Sequence, residues 1–213
     1  MQNLQSLQNI ANLVTRQSSF YWKAKYEANE LPDAATPAWT KENFNADTEE
    51  ISPAGFLHLI SNVDGSVEYY RTESGLDNST GTTIEARVKM VSGYTLAEST
   101  DAMALQLNDG VQQVFLDIYS DAIATKGETY EMDTTDDYHT YRVTVKAGIT
   151  KVYVDGVLRI TDETSWTSAA KEIHFMGGYW EGGSIESSWD YVYYRTDGAV
   201  APKPATKPMR GYW

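Results

Sequence analysis

The feature that most constrains this chain is an alternation of period two that recurs, segment after segment, from about residue 54 to residue 196. Ile84, Ala86, Val88 and Met90 alternate with Glu85, Arg87 and Lys89. Met103, Leu105 and Leu107 repeat the pattern, as do Val114, Leu116 and Ile118, then Tyr141, Val143 and Val145; Trp189, Tyr191 and Tyr193 close the series. Successive side chains of a strand point to opposite faces, so each run predicts a strand with one face in a core and one in solvent. Turn signals separate the runs: Asp64-Gly65, Asn108-Asp109-Gly110, Asp155-Gly156 and Gly177-Gly178. The segment Lys151 to Ile160 reads as a hairpin whose Asp155-Gly156 turn needs positive φ. Many short strands with no helical pattern between them predict an all-β sandwich or barrel.

The flanks read differently. Residues 1–30 are rich in Gln, Asn and Ala, and Leu4, Leu7, Ala11 and Val14 follow a 3-4-3 spacing that puts them on one face of a helix, widened by Ile10 and Leu13. Such a stripe is too short for a stable isolated coiled coil, so the predicted helix either lies on its own domain or docks on another chain. Phe20, Tyr21, Trp22 and Tyr26 follow at once, as an anchoring segment would. Leu4, Leu7, Ala11, Val14, Phe20 and Trp22 are therefore the candidate contacts of an assembly arm. Residues 31–53 carry Pro32, Pro37 and Pro53 and read as an extended connection, residues 54–196 as the β domain. Residues 197–213 form a basic tail with Pro202, Pro204 and Pro208 that ends in Gly211-Tyr212-Trp213, either a loose terminus or a segment that docks on a neighbour.

Composition narrows the partners. In 213 residues, 41% are apolar and 12% aromatic, enough for a real core. The net charge of −13 disfavours nucleic-acid backbones and anionic membranes, because both attract basic surfaces. No Cys is present, which excludes disulfides, thiolate metal sites and Cys nucleophiles. Residues 1–20 have neither a basic start nor a continuous apolar run, so no signal peptide is read there and synthesis in the cytoplasm is the expectation.

Two segments carry a family resemblance. Asp137 to Val145 with Val152-Tyr153-Val154-Asp155-Gly156, and Phe175-Met176-Gly177-Gly178 with Trp189-Asp190-Tyr191-Val192, resemble the laminin-G-like members of the concanavalin A-like lectin/glucanase superfamily. The resemblance covers roughly residues 54–196. It implies an antiparallel jelly roll of two curved sheets, and a membership that includes carbohydrate-binding modules, glucanases and attachment domains on cell and virus surfaces. It also implies a calcium ion as a possible ligand, with Asp190 at the matching position.

The glucanase branch uses a Glu-x-Asp-x-(x)-Glu strand, because retaining hydrolysis needs two carboxyls about 5 Å apart. Here Glu131-Met132-Asp133-Thr134-Thr135-Asp136 ends in the shorter Asp and lies too close to the His139 strand, so it reads as a polar turn. His58, His139 and His174 show no matched Ser/Asp motif and no metal-ligand spacing. These arguments predict a chain without catalytic activity. The loop Gly177-Gly178-Tyr179-Trp180-Glu181-Gly182-Gly183 is the candidate binding feature. Its aromatics Tyr179 and Trp180 would stack on sugar faces and Glu181 would accept hydroxyl hydrogen bonds, unless Trp180 folds back as a plug.

The expectation is thus a non-catalytic lectin-like jelly roll with a short helical arm and an extended tail. It would be displayed on a larger assembly such as a virion surface or fibre, self-associating or bound to capsid or fibre proteins, and would bind host glycans with no cofactor required. The alternative is a free-standing carbohydrate-binding module, and after it a glycoside hydrolase or polysaccharide lyase.

Overall fold

The computed structural model describes residues 22–43, 48–61, 67–99, 101–178 and 184–203, which form sixteen strands in two antiparallel sheets. Sheet A runs in the order β13 (Val157–Asp162), β12 (Ile149–Val154), β11 (His139–Lys146), β6 (Thr82–Ser92), β16 (Ile185–Arg195), β4 (Leu57–Ser61) and β3 (Thr48–Ile51), with β1 (Ala24–Tyr26) also paired to β16. Sheet B runs β10 (Thr129–Glu131), β9 (Ala122–Ala124), β8 (Gln112–Ile118), β7 (Met103–Asp109), β15 (Lys171–Met176), β5 (Val67–Thr72) and β2 (Thr40–Asn43), with β14 (Trp166–Thr167) on β8. This is the predicted jelly-roll sandwich.

The alternating apolar residues meet between the sheets. Ile84, Ala86, Val88 and Met90 of β6, Tyr141, Val143 and Val145 of β11, and Leu105 and Leu107 of β7 are all buried. Phe175 sits at the centre, its ring 5.0 Å from Trp39, 5.2 Å from Tyr69, 5.2 Å from Trp189 and 5.9 Å from Tyr26. Aromatic pairs at these separations add to the area they remove from water. The hairpin between β12 and β13 turns on Asp155 (φ 50°) and Gly156 (φ 80°), as its sequence requires. Asp162, at the end of β13, ties the two sheets: its carboxylate accepts from Thr125 Oγ1 (2.6 Å) and Gly127 N (2.9 Å), which follow β9.

Three readings of the sequence change. First, the final alternation is broken by a bulge between Trp189 and Tyr191, so Trp189, Val192 and Tyr194 are buried while Tyr191 and Tyr193 turn outward. Second, there is no helix among the described residues. Residues 1–21 lie outside them, and with them Leu4, Leu7, Ala11, Val14 and Phe20 of the arm. The end of that segment is strand β1, because pairing with Tyr194 to Val192 buries Ala24 and Tyr26 in the chain's own core. Trp22 rests on Tyr193, 5.6 Å between centroids. Third, residues 31–53, read as a connection, supply β2 and β3 to the two sheets. Beyond β16, Thr83 Oγ1 donates to Gly198 O and accepts from Val200 N, which lays residues 198–200 across the outer face of sheet A.

Candidate functional site: the outer face of sheet B

Strand register decides which side chains share a face, because directly paired residues of antiparallel strands point the same way. On sheet B the inward set is Leu105, Leu107, Leu116, Ile173, Phe175 and Tyr69. The outward set forms three rungs across the sheet. The first is Trp166, Gln113, Asn108, Glu172 and Thr72. The second is Phe115, Gln106, His174, Tyr70 and Thr40. The third is Ala124, Asp117, Ala104, Met176, Glu68 and Glu42.

This outward face is sheltered. Asn108, Gln106, His174, Ala104 and Met176 are all buried although they point away from the core. The corresponding residues of β6 on sheet A are Glu85, Arg87 and Lys89, two of them only half-buried. A recess lined by amides, an imidazole and carboxylates is a lattice of donors and acceptors; its burial keeps bulk water from competing for them.

His174 is the hub of the lattice. Its Nδ1 hydrogen bonds with Glu68, and its ring stacks on Tyr70 at 5.5 Å. Its Nε2 lies 3.4 Å from Asn108 Nδ2 and 3.3 Å from Glu172 Oε2. Asn108 Nδ2 is also 3.5 Å from Glu172. That leaves Asn108 Oδ1 buried with no hydrogen-bond partner. A buried orphan acceptor costs roughly 1–3 kcal/mol; Gln112 Nε2 and Tyr141 Oη are among the other buried atoms likewise without a partner. Glu42, Glu68, Asp117 and Glu172 lie on the rungs, and no Lys or Arg does. At the rim Trp166 is 40% exposed, meets Phe115 edge-on at 5.6 Å and carries Lys126 over its ring at 5.1 Å.

The residues singled out from sequence fall elsewhere. Tyr179, Trp180 and Glu181 lie outside the described residues. Asp190 is on the outer face of sheet A, 2.7 Å from Arg87 Nη1, which already supplies it with a cation. Among the described residues no group of three or more His, Asp or Glu is placed to hold a metal ion. Glu131 ends β10 at the edge of sheet B, Asp133 accepts from Thr135 and Asp136 pairs with His139 at 2.9 Å, which makes this run the polar turn expected. With Asp121, Glu131 and Asp133 it borders a shallow depression of about 560 Å³.

Glu68, Gln106, Trp166 and Glu172 are not singled out by the sequence, because outward positions of a strand read as solvent; Asn108 reads as a turn with Asp109-Gly110 but is near the end of β7, and His174, without a matched motif, reads as packing. One signal was available. The outward positions of β7 are Ala104, Gln106 and Asn108, uncharged residues where an ordinary exposed strand carries Lys and Glu.

No protein-family model matches the chain, and no curated protein matches it in sequence. Solved structures do. A β-glucanase of Bacillus licheniformis superposes with TM-score 0.56 at 15% identity, covering 83% of this chain and 99% of that one. The carbohydrate recognition domain of Emp46p in its metal-free form gives 0.59 at 11% identity, covering 85% and 100%. Alginate lyase A1-II′ of polysaccharide lyase family 7 gives 0.54 at 11%, covering 73% and 86%. The fold is the concanavalin A-like jelly roll, as the resemblance implied. The expectation of a chain without catalytic activity is corrected by the same finding. This architecture carries hydrolases and lyases as well as lectin domains, and the Glu131–Asp136 run and the spacing of the three histidines along the chain do not reveal the Glu68–His174 pair, which the fold brings together.

Proposed function

We propose that the protein binds a neutral saccharide chain in the recess on the outer face of sheet B. The rungs of hydrogen-bonding residues around the outward-pointing Gln106, Asn108 and His174 carry this reading, since they offer the donors and acceptors that a saccharide's hydroxyl groups need. Trp166 at the rim offers a face for sugar stacking. Glu42, Glu68, Asp117 and Glu172, with no Lys or Arg among the rungs, repel uronate polymers and favour an uncharged chain. The structural relatives support the reading by their names: a β-glucanase, an alginate lyase and a carbohydrate recognition domain.

Calorimetric titration with soluble neutral β-glucan oligosaccharides and with alginate oligosaccharides tests it. Binding is expected for the neutral set alone, weakened about tenfold or more in Trp166→Ala at nearly unchanged Tm, and in Asn108→Ala, whose buried hydrogen-bonded side chain also costs stability. Failure of every neutral glycan, or wild-type affinity in both variants, rejects it.

One observation favours a chemical step at the same site. With Nδ1–H donated to Glu68, His174 presents Nε2 beside Asn108 and Glu172, the arrangement of a general base oriented by a carboxylate. Release of reducing ends from a neutral glycan by the wild type, lost in His174→Gln with binding retained, assigns that role. We also propose that the domain is carried on a larger assembly such as a virion surface or fibre, attached through the segments on either side of the described residues, 1–21 and 204–213. A solution mass unchanged by Leu7→Asp and Val14→Asp, with unchanged particle incorporation, counts against it.

A further inference from the structure

A second site lies on the opposite side of the sandwich. Lys146 and Lys151 share the outer face of sheet A with Tyr153, and the register places Thr144 opposite Lys151, Lys146 opposite Ile149 and Tyr153 opposite Arg142. The two lysines are diagonal neighbours, which sets their Cβ atoms about 7 Å apart. Both are exposed, Tyr153 is half-buried and Thr144 is buried beneath the crossing segment. Ala199 and Ala201 of that segment wall the space, closing a groove of about 390 Å³ over these side chains.

Charge marks the groove. The chain has 30 acidic residues against 17 Lys and Arg, and the two arginines of β6 and β11 on this face are neutralised, Arg142 by Glu85 at 2.5 Å and Arg87 by Asp190 at 2.7 Å. Among the described residues Lys146 and Lys151 have no carboxylate within ion-pair distance. Two like charges held side by side raise each other's energy, and an anion between them relieves it. The groove is small, at the low end of the range for small-molecule sites, and one wall is an aromatic ring.

We propose that this groove binds a small acidic sugar, a uronic or sulfated mono- or disaccharide. Its anionic group sits between Lys146 and Lys151, its ring lies against Tyr153, and a hydroxyl reaches Thr144 Oγ1. The site is independent of the sheet B recess: it carries the opposite charge, uses the other sheet and takes a ligand the recess repels.

Calorimetric titration of the whole chain with glucuronic acid, a sulfated glucosamine–uronate disaccharide, inorganic sulfate and cellobiose tests the assignment. The acidic sugars are expected to bind and to weaken between 0.05 and 0.5 M NaCl as screening takes hold. Lys146→Gln/Lys151→Gln should weaken them on the order of tenfold, and Tyr153→Ala severalfold. Trp166→Ala, on the other sheet, should leave them unchanged, which separates this site from the recess. Wild-type affinity in the double lysine variant overturns the proposal. So does sulfate binding as tightly as the acidic sugars, which reduces the groove to a bare anion site, and so does cellobiose binding equally well here. The thermal melt of each variant is expected within a degree or two of wild type, because both lysines are exposed; if Tyr153→Ala melts early, Tyr153→Phe serves in its place.

Discussion

Replacing Asp162 by Asn should cost about 1–3 kcal/mol at pH 7, although the two side chains have the same shape. Oδ1 of Asp162 accepts from Thr164 N and Thr164 Oγ1, both at 2.7 Å; Oδ2 accepts from Thr125 Oγ1 at 2.6 Å and Gly127 N at 2.9 Å. Asn has one oxygen. If it stays with Thr164, its NH2 faces two donors. The Thr125 hydroxyl can turn and accept, but the Gly127 N–H cannot, and losing this partly buried bond costs about 1 kcal/mol. Loss of the charge weakens the surviving bonds by about another 1 kcal/mol. The same contacts fix the pH dependence. Burial pushes the Asp162 carboxyl up, but the hydrogen bonds from Thr125, Thr164 and Gly127 outweigh it and hold the group below the usual carboxylate range. A folded-state pKa below the unfolded one contributes stability that is complete above the unfolded value, about 3.9, and is lost as pH falls through the folded value. The Asn variant has no such group, so the gap between the two proteins should shrink from pH 7 towards pH 3. Urea unfolding followed by tryptophan fluorescence at both pH values measures it. A gap under about 0.5 kcal/mol at pH 7, or an equal gap at pH 7 and pH 3, refutes the reasoning.

Phe175→Ala removes the ring around which Trp39, Tyr69 and Trp189 pack, and should destabilise by about 3–5 kcal/mol in the same urea assay, whereas Phe175→Leu should recover more than half of that. His139 lies 2.7 Å from Asp155 and 2.9 Å from Asp136; burial pushes its pKa down, but these carboxylates outweigh it and hold it above the ordinary value. A raised folded-state pKa gives stability that is complete below the unfolded value near 6.5 and is lost as pH rises through the folded one. His139→Gln should therefore lower Tm at pH 5.5 and leave it nearly unchanged at pH 9; equal shifts at both values count against the charged pair. At Ala147, with φ 50°, substitution by Gly should raise stability, by up to about 1 kcal/mol, since a non-glycine residue there is strained.

How far the sequence could be read depends on how local each feature is. The apolar rows of β6, β7, β8 and β11 and the Asp155-Gly156 turn are decided by neighbours within a few residues, and they were legible as such. The bulge in β16 was not, because an extra residue leaves no mark on a run as rich in aromatics as Trp189 to Tyr194. The recess was hidden for a topological reason. Glu68 and His174 are 106 residues apart and Asn108 is 66 from His174; β15 lying between β5 and β7 brings them together. A polar residue on a strand looks the same in sequence whether its face is open or sheltered. The jelly roll itself was accessible only through the family resemblance, since alternation cannot tell a sandwich from a barrel.

Strand β16 bonds to β6 along one edge and, along the other, to β4 as far as Trp189 and to β1 from Val192 onward. The bulge beside Asp190 falls at the changeover, which lets one strand serve two partners. It is also the last in chain order of the strands among the described residues. During synthesis β6, β4 and β1 all wait for it, and until residue 195 has left the ribosome the middle of sheet A is a gap with bare strand edges on both sides. Such edges invite pairing with other chains, and closure must join residue 24 to residue 194 from one end of the described domain to the other, a slow step for a sheet protein. A chain cut before Ile185 is therefore left with bare edges in place of a partly built sheet.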